Sequence, residues 1–209
     1  MSYRVVCLGG SAGGLEAYLE ILRNLPADSG MAFVVAPHRG LGNADLLCPL
    51  LANATTMPVS EVKQGMSLEP NRVFIMPPGK DMTISRDKFD LKTTPGPRGL
   101  PTIITGFLGS ISEAYGSRAV AVILSGMDKD GSAALSPFKA AGGVTFAQSN
   151  PAFASMPHHA VATGHIDFVL PPAEIAHALL NLPRRVKPTT PVHEGPVVEV
   201  RHKAAGLSH

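Results

Sequence analysis

Residues Val5–Leu22 read VVCLGGSAGGLEAYLEIL, and this stretch decides the fold class. A short apolar run leads into two glycines, a serine, an alanine and two more glycines. Apolar residues then recur at three- and four-residue intervals. The unbroken apolar run suits a strand buried on both faces, and the spacing after Gly14 is that of an amphipathic helix. Strand, tight turn and helix in succession form the first part of a βαβ unit.

The alternation continues along the chain. Strand-like runs fall at Arg4–Leu8, Ala32–Ala36, Arg72–Met76, Ala119–Leu124, Val144–Ala147 and Ile166–Leu170. Helical spacing falls between them at Gly14–Leu25, Ala44–Ala52, Ile103–Tyr115, Ser132–Ala141, Pro157–Thr163 and Pro172–Leu180. This order predicts an α/β fold, a doubly wound and mostly parallel sheet. Met82–Lys92 breaks the pattern with polar turn residues between two short strand-like pieces, and it reads as a β-hairpin decorating an edge. From Pro183 the chain becomes Pro-rich and aperiodic, so residues 1–182 are read as one domain and 183–209 as a tail or linker.

Composition narrows the function classes. With 209 residues, 44% apolar and 16% charged, the chain can bury a sizeable core. A formal charge of +2, no Lys/Arg blocks and no Trp leave no footprint for nucleic acid. Cys7 and Cys48 lack CxxC spacing and read as buried free thiols in a reducing compartment. Neither a signal peptide nor a membrane-spanning run is present in the sequence, so a soluble, cytoplasmic protein is expected.

In an α/β sheet ligands bind beyond the carboxyl ends of the strands, which places a site at the Gly-rich turn. Three motifs compete there. A dinucleotide fingerprint needs Gly where Ser11 stands, and the second strand run ends in Ala36, Pro37 and His38 rather than in an acid that could bind ribose. A phosphate loop needs a Gly-Lys-Ser/Thr closure, which is missing. Gly9-Gly10-Ser11-Ala12-Gly13 does match G-x-S-x-G, a turn that thrusts a serine hydroxyl above the sheet. The helix after it aims free N–H groups at a developing oxyanion, with the amide of Ala12 the first candidate donor. The bland alternative is a plain βα turn with Ser11 capping the helix.

A serine needs a base, and there are eight histidines. His193, His202 and His209 lie in the tail, and His177 lies within the last helix. His158, His159 and His165 stay in contention. His38 is the best placed, because it ends the strand run FVVAPH and neighbouring parallel strands bring their carboxyl ends to one rim. The acid that orients the imidazole should end another central strand. AVAVILSGMDKDGSAAL puts both Asp128 and Asp130 there, and the residues alone leave the choice open. No metal-ligand motif accompanies them: H-E-x-x-H, clustered Cys/His and D-x-D-x-D-G are all missing.

These residues resemble the catalytic domain of the chemotaxis protein-glutamate methylesterase family, CheB, including versions fused to a receptor methyltransferase. The likeness runs from about Arg4 to Leu180. It is carried by GGSAGG at Gly9–Gly14, APHRG around His38, VFIMPPGKDMTI at Val73–Ile84, VILSGMDKDGSAAL at Val122–Leu135 and GGVTFAQSNPAFASMPHHAVATGHIDFVL at Gly142–Leu170. The resemblance implies Ser11 as nucleophile, His38 as base and Asp130, rather than Asp128, as the acid. It implies that Met127 lines the pocket with its backbone near the oxyanion. A cofactor-free release of methanol from methylated glutamates on the cytoplasmic helices of a chemoreceptor follows, with glutamine deamidation in some members.

The chain departs from the family in two places. Arg98-Gly99-Leu100-Pro101-Thr102-Ile103-Ile104 keeps the family's Pro but puts Ile104 where an acid is frequent, which bears on substrate recognition. No receiver domain precedes the catalytic residues, so regulation is expected from a regulatory or methyltransferase partner on another chain or domain. Two other readings stay open at this point: a non-catalytic homologue that binds a receptor or partner, and an esterase for another acyl substrate.

Overall fold

The computed structural model describes residues 3–38, 44–93 and 102–183. Its strands are β1 (Arg4–Gly10), β2 (Met31–Pro37), β3 (Val59–Glu61), β4 (Arg72–Ile75), β5 (Lys80–Ser85), β6 (Lys88–Thr93), β7 (Ala119–Ile123), β8 (Val144–Gln148) and β9 (Phe168–Leu170). The helices are α1 (Gly14–Arg23), α2 (Ala44–Ala52), α3 (Ile103–Tyr115), α4 (Leu135–Ala140), α5 (Ser155–Ala162) and α6 (Pro172–Leu180).

Seven strands form one sheet in the order β3-β4-β2-β1-β7-β8-β9, and every pairing in it is parallel. The chain winds from β1 towards β3 on one side and from β7 towards β9 on the other. The strand order therefore reverses between β1 and β7, the kind of position where such sheets bind ligands. Alternate residues face opposite layers. Val5 and Cys7 of β1 join a core with Phe107, Leu108 and Ile111 of α3, whereas Val6 and Leu8 join Tyr18, Ile21 and Leu22 of α1. Both faces are covered, which explains why the strands read as unbroken apolar runs.

The doubly wound parallel sheet matches the expectation, with local differences. The hairpin β5–β6 does not extend the large sheet. It forms its own two-stranded antiparallel sheet and buries Met82, Ile84 and Phe89 in the core with α3, because Met82 and Ile84 alternate to one face. Helix α5 starts at Ser155, two residues before Pro157. Proline in a first helical turn sacrifices no intrahelical donor, so it does not mark the start. The reading Ser132–Ala141 resolves into a 3-10 turn at Ser132–Ala134 followed by α4. β9 begins at Phe168 instead of Ile166, because the Asp167 carboxylate and backbone are bound to Thr145 and Lys139 ahead of the pairing. Three-residue β3 was missed, being too short to show a period. Cys7 is buried, whereas Cys48 is only half-buried. The expected tail from residue 184 and the stretch Arg98–Pro101 lie outside the described residues. Among the described residues no helix is long and apolar enough to cross a membrane.

Candidate active site

β1 ends at Gly10, and the chain turns through Ser11, Ala12 and Gly13 into α1. The Ser11 N–H donates to the Ser125 carbonyl at 2.8 Å, and the Ser11 carbonyl accepts the Gly14 N–H at 2.9 Å. Both ends of the serine backbone are thereby fixed. Gly13 has φ 69°, and a Cβ there would lie 2.7 Å from Ser125 Oγ, so both conformation and space demand glycine. Gly9 is required for space alone, since its Cβ would meet Ile104 Cγ2 at 2.8 Å. The Ser11 hydroxyl, half-buried at the turn, makes no hydrogen bond among the described residues.

His38 follows β2 one step beyond the pairing of Gly10 with Pro37. Its N–H donates to the Gly10 carbonyl at 2.8 Å, which seats the residue beside the serine turn. The imidazole is 1% exposed and presents Nε2 to two carboxylates, Asp130 Oδ2 at 3.7 Å and Asp128 Oδ2 at 3.8 Å. These separations are within ion-pair range and longer than a hydrogen bond. Catalytic contacts commonly tighten only when substrate is bound.

The environments of the two aspartates differ. Asp130 is buried at the N-terminus of α3, where its carboxylate accepts the Ile104 N–H at 2.8 Å, the Thr105 N–H at 2.9 Å, the Thr105 hydroxyl at 2.8 Å and the Gly131 N–H at 2.8 Å. It serves as a helix cap supplied from another loop, since Thr102 makes no side-chain cap and the first turn of α3 carries no acid. Asp128 lies nearer the surface and accepts the Asp130 N–H at 3.1 Å within its own turn. Beneath them, burial pushes the Cys7 thiol well above its usual range, and the Asp130 charge adds to the effect. Cys7 is therefore held as a neutral thiol.

Ser11, His38, Asp128 and Asp130 all stand at the carboxyl ends of adjacent central strands. Met127, expected along the pocket, is 68% exposed and projects from the rim. Ile104 is fully buried, packed where side chains at Gly9 and Gly131 would sit. Of the other histidines, His158, His159 and His177 are exposed on α5 and α6, and His159 Nδ1 is engaged by the Ser155 carbonyl at 2.7 Å.

Three supporting residues escaped the sequence reading. Thr105 bridges the Asp130 carboxylate and the Gly131 N–H, donating to one and accepting the other at 2.8 Å each. The Ser125 hydroxyl donates to the Ala12 carbonyl at 2.8 Å, and Gln148 Oε1 accepts the Ser125 N–H at 2.9 Å. The available signal was polarity, since Ser125 follows the apolar strand β7, Gln148 ends β8 and Thr105 lies in the first turn of a helix.

Residues 6–179 match the family model described as CheB methylesterase. The chain belongs to this family. A CheB methylesterase relative, protein-glutamate methylesterase/protein-glutamine glutaminase 2 of Anaeromyxobacter dehalogenans, is 35% identical over 86% of this chain and 53% of its own length. The protein-glutamate methylesterase FrzG of Myxococcus xanthus is 30% identical over 86% of this chain and 54% of its own. The chain thus spans about half the length of the curated relatives it matches. The CheB methylesterase catalytic domain of Thermotoga maritima superposes with a TM-score of 0.79 at 28% identity, covering 87% of this chain and 99% of that one.

Proposed function

We propose that this chain is the catalytic unit of a protein-glutamate methylesterase, with Ser11 as nucleophile, His38 as general base and Asp130 as the orienting acid. The observation that carries the reading is the meeting of a G-x-S-x-G turn, a buried imidazole and a buried carboxylate at the switch point of the sheet. Family membership supplies the ester chemistry.

Because Nε2 of His38 faces the carboxylates, we assign the Ser11 proton to its other ring nitrogen, Nδ1. In the neutral tautomer Nε2 carries the proton and faces Asp130, while Nδ1 takes the serine proton as Oγ attacks the ester carbonyl. The Ala12 N–H stabilises the resulting oxyanion at the N-terminus of α1. Collapse breaks the C–O bond to methoxide, which leaves as methanol with the proton from His38. Water then attacks the acyl-enzyme, giving one proton to His38, which returns it to Ser11 Oγ as the C–O bond to the serine breaks; the product leaves as the glutamic acid and loses its remaining proton to solvent. The Asp130 carboxylate holds the imidazole in place and balances the imidazolium.

This chemistry needs no cofactor. The substrate class is the methylated glutamates of a chemoreceptor's cytoplasmic helices, with glutamine deamidation as a parallel use of the same acyl-enzyme and the cytoplasm as the compartment. Regulation is assigned to a separate domain or partner, a receiver or a methyltransferase.

The test is methanol release from a methylated receptor by the wild-type chain and by Ser11→Ala. Release that depends on Ser11 supports the reading. Release of equal speed from both proteins overturns it.

A further inference from the structure

Ser125 is fully buried and touches each part of the nucleophile turn. Its carbonyl accepts the Ser11 N–H at 2.8 Å, its hydroxyl donates to the Ala12 carbonyl at 2.8 Å, and the same hydroxyl accepts the Phe153 N–H at 3.0 Å. Its own N–H is held by Gln148 at 2.9 Å. One side chain therefore ties β1's turn to β7 and to the loop after β8.

The hydroxyl's contact with Ala12 has a geometric consequence. A planar trans peptide sets a carbonyl and the following N–H on opposite sides of the unit. No cis peptide occurs among the described residues. With the Ala12 carbonyl drawn towards Ser125, the Gly13 N–H of that unit faces away from β7. β1 separates β7 from β2, so this N–H turns to the half of the rim that carries His38. The neighbouring unit behaves in the same way. The Ser11 carbonyl is taken by the Gly14 N–H inside the turn, so the Ala12 N–H points out beyond the start of α1. Neither amide donates a hydrogen bond to the described residues.

We propose that Ser125 is a positioning residue whose buried hydroxyl sets the Ala12–Gly13 peptide so that the Gly13 N–H joins the Ala12 N–H as a second oxyanion donor. This rests on the reading of Ser11 as the nucleophile. Ser125 touches neither ester nor leaving group. It acts by keeping one carbonyl out of the site, because a peptide flip here would replace a donor with an oxygen that repels the developing charge. The requirement for glycine at position 13 fits the same device, since φ 69° is the conformation that this peptide orientation imposes on the next residue.

The experiment compares wild type, Ser125→Ala and Ser125→Thr in three measurements: methanol release from methylated receptor, the rate at which a fluorophosphonate labels Ser11, and thermal unfolding. The fluorophosphonate reaction builds charge on oxygen in the same place and does not depend on recognition of a receptor. Ser125→Ala is expected to lower kcat and the labelling rate by on the order of 10²-fold with KM changed less than about twofold, the pattern of a lost transition-state donor. Ser125→Thr keeps the hydroxyl and is expected to recover most of both rates. A folded Ser125→Ala protein that labels at the wild-type rate overturns the proposal, because a merely structural hydroxyl would move only the unfolding temperature. If Ser125→Ala does not fold, Ser125→Cys, with its weaker S–H donor, takes its place and is expected between wild type and the alanine loss. Wild-type protein that labels but ignores receptors overturns the substrate reading and leaves the labelling comparison decisive for Ser125. Wild-type protein that does neither overturns the role of Ser11 and this proposal together.

Discussion

The Asp130 carboxylate accepts four hydrogen bonds from Ile104, Thr105 and Gly131, whereas the Ser11 hydroxyl, on the next strand tip, accepts none from the described residues although its backbone is pinned at both ends. The contrast separates two demands on one site. A charge that must stay ionised beside an imidazole benefits from fixed donors and from the positive end of α3. Under the proposed assignment Ser11 must swing between its base and an incoming carbonyl, which fits a residue held only by its main chain. The fixed groups are then the carboxylate and the backbone of the turn, and the free one is the hydroxyl proposed to form the bond.

The contrast can be broken at either end. Ser11→Ala removes the mobile group and should lower turnover by on the order of 10⁴-fold or more while leaving the melting temperature nearly unchanged, as read by methanol release and thermal unfolding. Asp130→Asn should cost about 10³- to 10⁴-fold in kcat. It should also lose about 1–3 kcal/mol of stability in urea unfolding, since its amide would face the N–H groups that the carboxylate now accepts. Asp128→Asn sharpens the comparison. Asp128 lies as near to His38 but lacks the cap, so a loss below about tenfold is expected, and parity with Asp130→Asn would reverse the assignment.

The smallest effect lies away from the rim. Partial burial pushes the Asp167 carboxyl up, but the Lys139 ammonium and the Thr145 N–H and hydroxyl outweigh it and hold it below the usual range. A lowered folded pKa contributes stability above the unfolded value of about 3.9, and that contribution is lost as pH falls through the folded value. The pair is near the surface, so Lys139→Met should cost only about 0.5 kcal/mol at neutral pH. The difference should shrink as pH falls through the lowered folded value of Asp167 in matched urea titrations, with kcat unaltered at pH 7.

The parallel sheet was legible because strands such as β1, β2 and β7 are buried on both faces and carry almost no polar residue to obscure them. Ser11, His38 and the two aspartates were legible because strand ends in such a sheet share one rim. Thr105 and Ser125 were not, because their importance comes from partners far along the chain: 26 residues separate Thr105 from Gly131 and 113 separate Ser125 from Ala12. Met127 was given to the pocket by resemblance, and spacing does not reveal which way a loop side chain points. The hairpin was legible but its packing against α3 was not, since alternation identifies a strand pair without naming the helix it covers.

The pairing of β1 with β7, Val5 opposite Ala119, also dictates when the candidate site can first assemble during synthesis. Until the ribosome has delivered residue 125, the Ser11 amide lacks its acceptor and one edge of β1 stays open with its backbone donors and acceptors unpaired. Such distant parallel contacts close slowly and leave sticky intermediates exposed. The assembled rim would thus be among the last features a newly made chain acquires, and a slow step at β7 would divert material to aggregates without altering the molecules that finish folding.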